Sequence, residues 1–509
     1  MRTKMDNPAI IADDRADSRA WPLAVGVFVV ATLLGTLAAI HYARIDLTLS
    51  HYDARAHLVV ARRIVDSLTP GWRQIGAVWL PLPHVLDLVA VLPDWGYRSG
   101  YLAVAISIVS LASGLAALAA YLWRQTGSRA AALAAPALIL ANPDLLYLQS
   151  TPMTEPLLLG LMGVSVLAVD RWIERPTPRT TWQARAALAA LTLTRYEGWC
   201  FAAALIAVGA LLQRRRGARV ALALVPAFVG AIAGFLLLGY ATTGTLFVSD
   251  GFFVPDNPAH HAPFVALHQI VASARALGGD ILMGGAAVGT VVTIAALVRR
   301  RAEALSLALL ATAVLPFYAF YEGHPLRVRY MIPIVAVGGL LAASAIARVP
   351  RRLQMVGAVV LVALVCWQRP PIDAHAPMVL EAQWETPFRL QRQAVTRYLL
   401  SAYDGTPILA SMGSLGHYMQ ETSHAGFPLA TFLHEGNGDL WTAALLEPSR
   451  YVHWILIEER AEGGDMLAAR VREDPAFVDG FTRVAEGGGL VLYRATGDRP
   501  RTAGGVEPK

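Results

Sequence analysis

The stretch WPLAVGVFVVATLLGTLAAI, residues 21–40, is an unbroken apolar run near the start of the chain. It is about twenty residues long, the length that an α-helix needs to cross the hydrocarbon core of a bilayer. No small-residue cleavage site follows it, so it predicts a retained first membrane span and not a signal peptide. Similar runs recur downstream and predict about eleven spans in all. The predicted spans start near residues 21, 99, 128, 154, 181, 199, 219, 281, 304, 330 and 353.

The composition agrees with a membrane protein that crosses the bilayer several times. Of the 509 residues 55% are hydrophobic and 16% are charged, and the mean hydropathy is +0.46. Soluble domains average about 25% charged residues. The net charge is +6, but the basic residues form short clusters between apolar runs, such as QRRRGAR (213–219) and VRRRAE (298–303). Such clusters orient membrane helices, so we expect no nucleic-acid partner.

The cysteine content is low. Cys200 and Cys366 are the two cysteines of the chain. They lack the spacing of metal ligands, so the sequence predicts neither a disulfide framework nor a zinc site of cysteines.

The basic residues of alternate loops predict the orientation. Arginines are abundant on one side, which by the positive-inside rule is cytoplasmic and includes the N-terminal tail, residues 1–20. The short loops on the opposite side hold only four basic residues: Arg195, Arg275, Arg327 and Arg329. We therefore expect a multi-pass protein of the cell membrane. The segments expected on the outer side are 41–98, 141–155, 241–280, 321–329 and everything after about residue 369.

The pattern changes after Gln368, where the apolar runs end. PFRLQRQAVTRYLLSAY (387–403) and GDMLAARVRED (464–474) have helical patterns. TPILAS (406–411) and YVHWILIE (451–458) are typical of strands, and FTRVAEGGGLVLYRA (481–495) of a hairpin. The predicted fold class is a polytopic α-helical membrane protein with a C-terminal soluble α/β domain. The predicted domains are a transmembrane domain over 21–368, an extracytoplasmic domain over 369–498 and a disordered tail over 499–509.

The first outer loop, 41–98, is far longer than a simple connector. YDARAHLVVARRIVDSL (52–68) and VWLPLPHVLDLVAVL (78–92) predict two amphipathic helices lying flat at the membrane interface. Asp53 then stands at the start of the first helix and faces a cavity under these helices. The plainer alternative is that Asp53 only interacts with the helix macrodipole.

Ionisable residues also collect at the outer ends of later spans. Glu155 lies in NPDLLYLQSTPMTEPL (142–157), and Arg195 and Glu197 lie in LTLTRYEGW (191–199). YEGHPLRVRYMIP (321–333) contains a further set: His324, Arg327, Arg329 and Tyr330. Charged residues at membrane depth are costly, which favours a functional site on this face, although a single arginine at a helix end can simply reach toward water.

These motifs resemble the GT-C glycosyltransferases that use polyprenyl-phosphate sugars. DSLTPGWRQIGAVWLPLPH (66–84), after an early Asp in a long first outer loop, resembles the protein O-mannosyltransferases and lipid A aminoarabinose transferases. TRYEGW, RVRYMIP and EPSRYVHWILIEERAEGGDMLAARVREDPAF (447–477) are similar to stretches of their bacterial relatives. The resemblance spans residues 21 to about 495 and implies glycosylation in the cell envelope. Many relatives carry an acidic pair in the first loop, whereas Ala54 follows Asp53 here, so the second carboxylate is absent locally or is Glu155.

The resemblance implies a division of roles. A polyprenyl phosphate leaves without a proton, so the reaction needs one base for the acceptor hydroxyl and cations for the released phosphate. We expect Asp53 to be the general base of an inverting transfer, with Glu155 as the second catalytic carboxylate. The residues expected to bind the donor phosphate are Arg327 or Arg329 first, then Arg195, with Tyr330 as an added donor.

The outer histidines leave alternatives open. Asp53, His57, His84, Glu155 and His324 could supply a divalent metal site, but no compact ligand motif such as H-E-x-x-H is present, so metal dependence stays undecided. His57 follows Asp53 by one helical turn. The plainer expectation is that His57, His84 and His324 support the acceptor or the loops.

Two rival functions are weighed against glycosyl transfer from a lipid monophosphate. A transporter or flippase would show inverted repeats and charges near mid-membrane, which this sequence does not. A polysaccharide polymerase or ligase with a diphosphate-linked donor usually has its large outer loop late in the chain. Besides the lipid donor and membrane lipid, we expect a glycan, lipid or protein acceptor, selected by FVSDGFFVPDNPAHHAPF (247–264) and the C-terminal domain.

Overall fold

The structure is a computed structural model. It describes residues 8–213, 216–244, 246, 257–299, 301–461 and 464–497. Among these, eight helices are long and apolar enough to cross a membrane. They are Ala20–Arg44, Tyr101–Thr126, Glu155–Glu174, Gly217–Thr243, Pro263–Val298, Ala302–Tyr321, Val328–Ile346 and Arg351–Gln368. The predicted fold class, a polytopic helical membrane protein with a small C-terminal sheet, is confirmed, whereas the predicted number of spans is not.

The helices before the C-terminal segment are numbered in chain order. They are α1 (Pro8–Arg44), α2 (Tyr52–Arg62), α3 (Pro81–Val91), α4 (Asp94–Ser99), α5 (Tyr101–Thr126), α6 (Arg129–Leu140), α7 (Pro143–Leu148), α8 (Glu155–Glu174), α9 (Pro178–Thr192), α10 (Glu197–Leu212), α11 (Gly217–Thr243), α12 (Pro263–Val298), α13 (Val314–Tyr321), α14 (Ile332–Ile346) and α15 (Arg351–Gln368). Three 3₁₀ segments join them: Trp72–Ile75, Ala302–Ala313 and Val328–Met331.

The C-terminal segment contains six helices and all five strands. They are α16 (Pro377–Glu381), α17 (Thr386–Ala402), β1 (Ile408–Ala410), α18 (Met412–Thr422), β2 (Phe432–Leu433), α19 (Asp439–Leu446), α20 (Pro448–Tyr451), β3 (Trp454–Glu458), α21 (Met466–Glu473), β4 (Phe481–Gly487) and β5 (Leu490–Ala495).

The difference from the predicted spans has a simple cause. A helix stands at each predicted start, but α6, α9 and α10 are shorter than a bilayer-spanning helix. The predicted start near 281 falls inside α12, directly after Gly279, whose φ of 75° and ψ of 162° break the helix there. Helix α1 begins at Pro8, so part of the predicted N-terminal tail is helical.

Chain contacts divide the protein into two compact units. The first unit comprises residues 1–45, 104–235 and 255–380, and its core surrounds α14. In the apolar window that contains α14, 89% of the residues are buried, against 17% for α11 and for α15. Helix α14 packs on α6 and α12. A Cβ on Gly289 would lie only 1.8 Å from the carbonyl oxygen of Leu341, so glycine permits the close approach of α12 and α14.

The second unit comprises residues 46–103, 236–254 and 381–509. Its sheet has the order β2-β1-β3-β5-β4, in which β2, β1 and β3 are parallel and β5 and β4 are antiparallel to their neighbours. Strand β3 is almost entirely buried. Helix α2 packs against α3 and α18, so the first outer loop and the C-terminal segment share one unit.

Several predictions for the irregular segments are settled by these bounds. Helices α2 and α3 form where the two amphipathic segments predicted them, although α2 ends at Arg62, before the predicted end of the pattern at Leu68. Within the segment 241–280, which is predicted to lie on the outer side, the residues from Pro263 onward are helical because α12 begins there. Most of the stretch 247–264 and the predicted disordered tail lie outside the described residues.

Candidate active site

The start of α2 places Asp53 in a buried position. His51 is the N-cap of this helix: the backbone N–H of Asp53 donates to its Nδ1 at 3.1 Å. Since Nδ1 accepts, the ring proton lies on Nε2, which donates to Glu381 Oε1 at 3.3 Å. The Asp53 side chain is in the first helical turn and is 7% exposed. His51 therefore caps the helix, while the Asp53 carboxylate lies in the first turn, where it also interacts favourably with the helix macrodipole.

Arg55, two residues after Asp53 in the same helix, connects α2 to the C-terminal segment. Its guanidinium donates to the Ser50 carbonyl at 3.1 Å and is paired with Glu421 of α18. Arg392 of α17 donates to the same Glu421 carboxylate at 2.8 Å and to Glu385 at 2.9 Å. Burial lowers the pKa of Arg55 to about 10, although Glu421 opposes the shift, so Arg55 stays charged at neutral pH. This network fixes the start of α2.

His417 on α18 completes what we call the Asp53 group: Asp53, Arg55, Arg392, His417 and Glu421. His417 is 6% exposed, and its Nε2 makes no hydrogen bond within the described chain. Burial holds its pKa well below the usual range, the charges of Arg392 and Arg55 lower it further, and the Asp53 charge partly opposes them. The imidazole is therefore neutral at physiological pH. The sequence predictions did not include this residue.

His57 and His84 form a buried pair between α2 and α3. His84 Nδ1 donates to the Leu80 carbonyl at 3.2 Å, which makes its Nε2 an acceptor for Nδ1 of His57 at 3.1 Å. Trp79 stacks on His84, with ring centroids 5.7 Å apart. Burial, and then the charge of Arg63, lower the pKa of His84 to about 3. The neutral His84 ring thus joins α3 to α2 through its hydrogen bond with His57.

In the first unit, Arg195 bridges two carboxylates at helix starts. Its Nη1 donates to Glu155 Oε1, the first residue of α8, at 2.9 Å, and its Nη2 to Glu197 Oε1, the first residue of α10, at 2.8 Å. Glu155 is 1% exposed and Glu197 is 5% exposed. Burial would lower the pKa of Arg195, but these two carboxylates outweigh it and raise it. Arg195 therefore forms a buried ion pair with Glu155 and with Glu197.

The 3₁₀ turn Val328–Met331 presents the remaining predicted cations. Arg327 precedes it and Arg329 lies inside it, and both are buried. Arg329 stacks on Tyr330, with the guanidinium carbon 5.7 Å from the ring centroid. Its positive charge acts on Arg195, so the two arginines belong to one electrostatic group. The hydroxyl of Tyr330 lies 3.5 Å from His324 Nε2.

The predicted site residues thus fall into two sets. Asp53, His57 and His84 belong to the second unit. The first unit contains what we call the arginine group: Glu155, Arg195, Glu197, Arg327, Arg329, Tyr330 and His324. Across the described part of the chain, no three His, Cys, Asp or Glu side chains lie close enough to hold a metal ion.

Comparison with solved structures identifies the fold. The crystal structure of ArnT from Cupriavidus metallidurans bound to undecaprenyl phosphate superposes on this chain with a TM-score of 0.58. The sequences are 14% identical, and the match covers 92% of this chain and 97% of ArnT. The chain has the ArnT fold. The apo structure of the same ArnT gives the same TM-score and identity, with 90% of this chain and 97% of ArnT covered.

The similarity is found in the structure and not in comparisons of sequence. No protein-family model matches the chain, and no curated protein matches it in sequence. The ArnT fold was expected from the resemblance of the outer-loop motifs, and this expectation is confirmed. The structure also adds polar residues that were not predicted: His51, Glu381, Arg392, His417 and Glu421. The pairs His51–Glu381 and Arg55–Glu421 join residues 330 and 366 positions apart, which no local sequence pattern shows.

Proposed function

We propose that this protein is a membrane glycosyltransferase that moves a sugar from a polyprenyl-phosphate donor to an acceptor hydroxyl. The observation that carries the proposal is the ArnT fold over 92% of the chain, since one of the ArnT structures holds undecaprenyl phosphate. The eight apolar helices support a site to which a lipid-linked donor has access. Buried ionisable side chains in both units supply groups suited to this chemistry.

Arg327 and Arg329 are the proposed ligands of the donor phosphate. A polyprenyl-phosphate sugar carries one negative charge on its phosphate, and the released monoester carries up to two. Buried guanidinium groups aimed at these oxygens gain interaction during the transfer, which lowers the barrier. Arg195 ranks behind them because Glu155 and Glu197 already accept its hydrogen bonds. Tyr330 is proposed as a further donor to the phosphate.

Asp53 is the proposed general base, and the transfer is proposed to invert the anomeric centre. Its burial at the start of α2 and the capping of that helix by His51 support a chemical role for the carboxylate. Direct attack by the activated hydroxyl on the anomeric carbon needs no general acid to protonate the leaving group, because the phosphate leaves as an anion.

Glu155 is the proposed second catalytic carboxylate. One of its oxygens accepts from Arg195, whereas its buried Oε2 makes no hydrogen bond within the described chain. Glu155 therefore also orients Arg195. His57 and His84 are proposed to support the first loop, and His324 to position Tyr330.

The acceptor is proposed to be a glycan, lipid or protein on the extracytoplasmic face. The arginine distribution supports this orientation, in which the loops with the site residues and the C-terminal domain lie outside. We propose that this domain, residues 369–498, braces the first loop and positions the acceptor. The hydrogen bonds of Arg55 and Arg392 to Glu421 support the bracing role.

A comparison of cells with and without the gene tests the proposed function. Mass spectrometry of envelope glycans and lipid-linked sugars should show one glycan losing a sugar and the matching polyprenyl-phosphate sugar accumulating. Expression of wild-type protein should return the sugar to the glycan and lower the polyprenyl-phosphate sugar to its normal level, whereas expression of Asp53→Asn should do neither. If a lipid diphosphate-linked oligosaccharide accumulates instead, the protein is a polymerase or ligase. An unchanged donor pool with a mislocalised sugar lipid would indicate a flippase.

A further inference from the structure

A basic recess lies in the first unit at the end of the bundle where α12 and α14 finish. It is formed by Arg299, which follows α12, by Arg301 and Glu303 at the next 3₁₀ segment, and by Arg348 after α14. The recess holds about 160 Å³ of open space. That volume is well above the roughly 10–15 Å³ that one ordered water needs, so the recess has room for a phosphate group. The proposed transfer reaction uses none of these residues.

The charges of the recess do not cancel. Glu303 is 7% exposed, pairs with Arg348 and lies 4.0 Å from Arg301. Arg299 has no carboxylate partner within the described chain. Three guanidinium groups thus share one carboxylate, and the recess keeps an excess of positive charge that favours an anion carrying one or two charges.

One wall of the recess is apolar and continues onto the outside of the bundle. Val292, Ala295 and Ala296 of α12 form this wall. The neighbouring side chains Val291, Ile294 and Val298 are 68%, 48% and 78% exposed, as expected of a surface that faces lipid. A soluble phosphate would use the arginines but not this wall. A phospholipid would use both, with its phosphate on the arginines and an acyl chain along α12.

We propose that the basic recess is a binding site for an anionic phospholipid. The phosphate lies between Arg299 and Arg301, while Arg348 holds Glu303 away from it through their ion pair. Such a lipid would tie the end of α12 to the end of α14, the buried centre of the first unit. The inference is independent of the proposed transfer reaction.

Lipid titration of the purified full-length protein in neutral detergent tests this proposal. Phosphatidylglycerol should bind more tightly than phosphatidylcholine, as measured by native mass spectrometry. A hydrogen bond from a guanidinium to the lipid phosphate contributes about fivefold in affinity, so the loss of two such contacts in Arg299→Gln with Arg301→Gln should weaken phosphatidylglycerol binding roughly 25-fold. The matched control is Arg351→Gln with Arg352→Gln, which removes the same charge from exposed positions outside the recess and should change binding little.

A second pair of variants keeps every charge and tests the apolar wall. Ala295→Trp should fill the recess and abolish the preference for phosphatidylglycerol, whereas Ile294→Trp on the exposed face of α12 should keep it. Equal loss in the control and recess variants would overturn the proposal, as would wild-type affinity in the double glutamine variant. Glycerol 3-phosphate that competes as well as the whole lipid would show a site for small phosphates instead.

Discussion

Replacement of Arg195 by methionine separates a structural role of this residue from a role in phosphate binding. Arg195 donates to Glu155 and Glu197, and both carboxylates are at least nine-tenths buried. Breaking a buried ion pair costs about 3–5 kcal/mol, because the remaining charge has no compensation. The Arg195 side chain is 15% exposed, so some water reaches the site, and we expect a loss near the lower end, about 3 kcal/mol.

Thermal unfolding of the purified protein in detergent measures this loss. Arg195→Met should lower the midpoint clearly. Adding Glu155→Gln and Glu197→Gln should recover more than half of the loss, because both uncompensated charges are then removed. The matched control is Arg275→Met, which breaks an exposed pair with Asp280 and should cost less than about 1 kcal/mol. A wild-type midpoint for Arg195→Met, with donor affinity reduced a hundredfold, would refute the structural role and make Arg195 a phosphate ligand.

Three further predictions concern the phosphate, pH and topology. Arg327→Lys and Arg329→Lys should differ in activity: one variant should lose most activity although its charge is kept, and the other should have nearly wild-type activity. Full activity and full donor affinity in both variants would show that the phosphate binds elsewhere. Burial raises the pKa of Glu458 to about 8, so the folded state binds an extra proton between about pH 4.3 and 8, and stability should fall as pH rises through that window. Thermal unfolding at pH 5 and pH 8 measures this dependence, and Glu458→Gln should reduce the difference in stability between the two pH values, whereas the exposed Glu447→Gln should not. A wild-type difference in Glu458→Gln would refute the assignment of the pH dependence to Glu458. In a protein with both native cysteines replaced, Leu446→Cys should react with impermeant thiol reagents in intact cells and Ala218→Cys should not. The reverse labelling would show that the topology is opposite to the predicted one.

The fold was predictable from the sequence as far as local patterns define it. Hydropathy places a helix at every predicted span, and period-two patterns place β1, β3 and the β4–β5 hairpin. The short strand β2 and helix α18 were not predicted, because two residues of strand carry no period and α18 has a mixed sequence. Hydropathy also could not show that α6, α9 and α10 are too short to span.

The candidate site was predictable in its residue types but not in its partners. Charged residues at the outer ends of spans marked Glu155, Arg195 and Arg329 because such positions are costly. The pairing of Arg195 with Glu155 joins residues of α8 and the α9–α10 turn, and no local pattern encodes it. The same holds for His417, whose relation to Asp53 arises only when α18 packs on α2. Tertiary contacts of this kind require a structure.

Sugar transfer by the purified protein tests the central proposal most directly. With a radiolabelled polyprenyl-phosphate sugar and an envelope extract as acceptor, in detergent and without any gradient, we expect glycosylated acceptor and free polyprenyl phosphate in equal amounts. Asp53→Asn should reduce the rate by roughly 10²–10⁴-fold while donor binding is largely kept, because only the proton acceptor is lost. Transfer by Asp53→Asn at the wild-type rate would contradict the role of Asp53. No transfer by well-folded wild-type protein that binds the donor would contradict the proposed reaction itself.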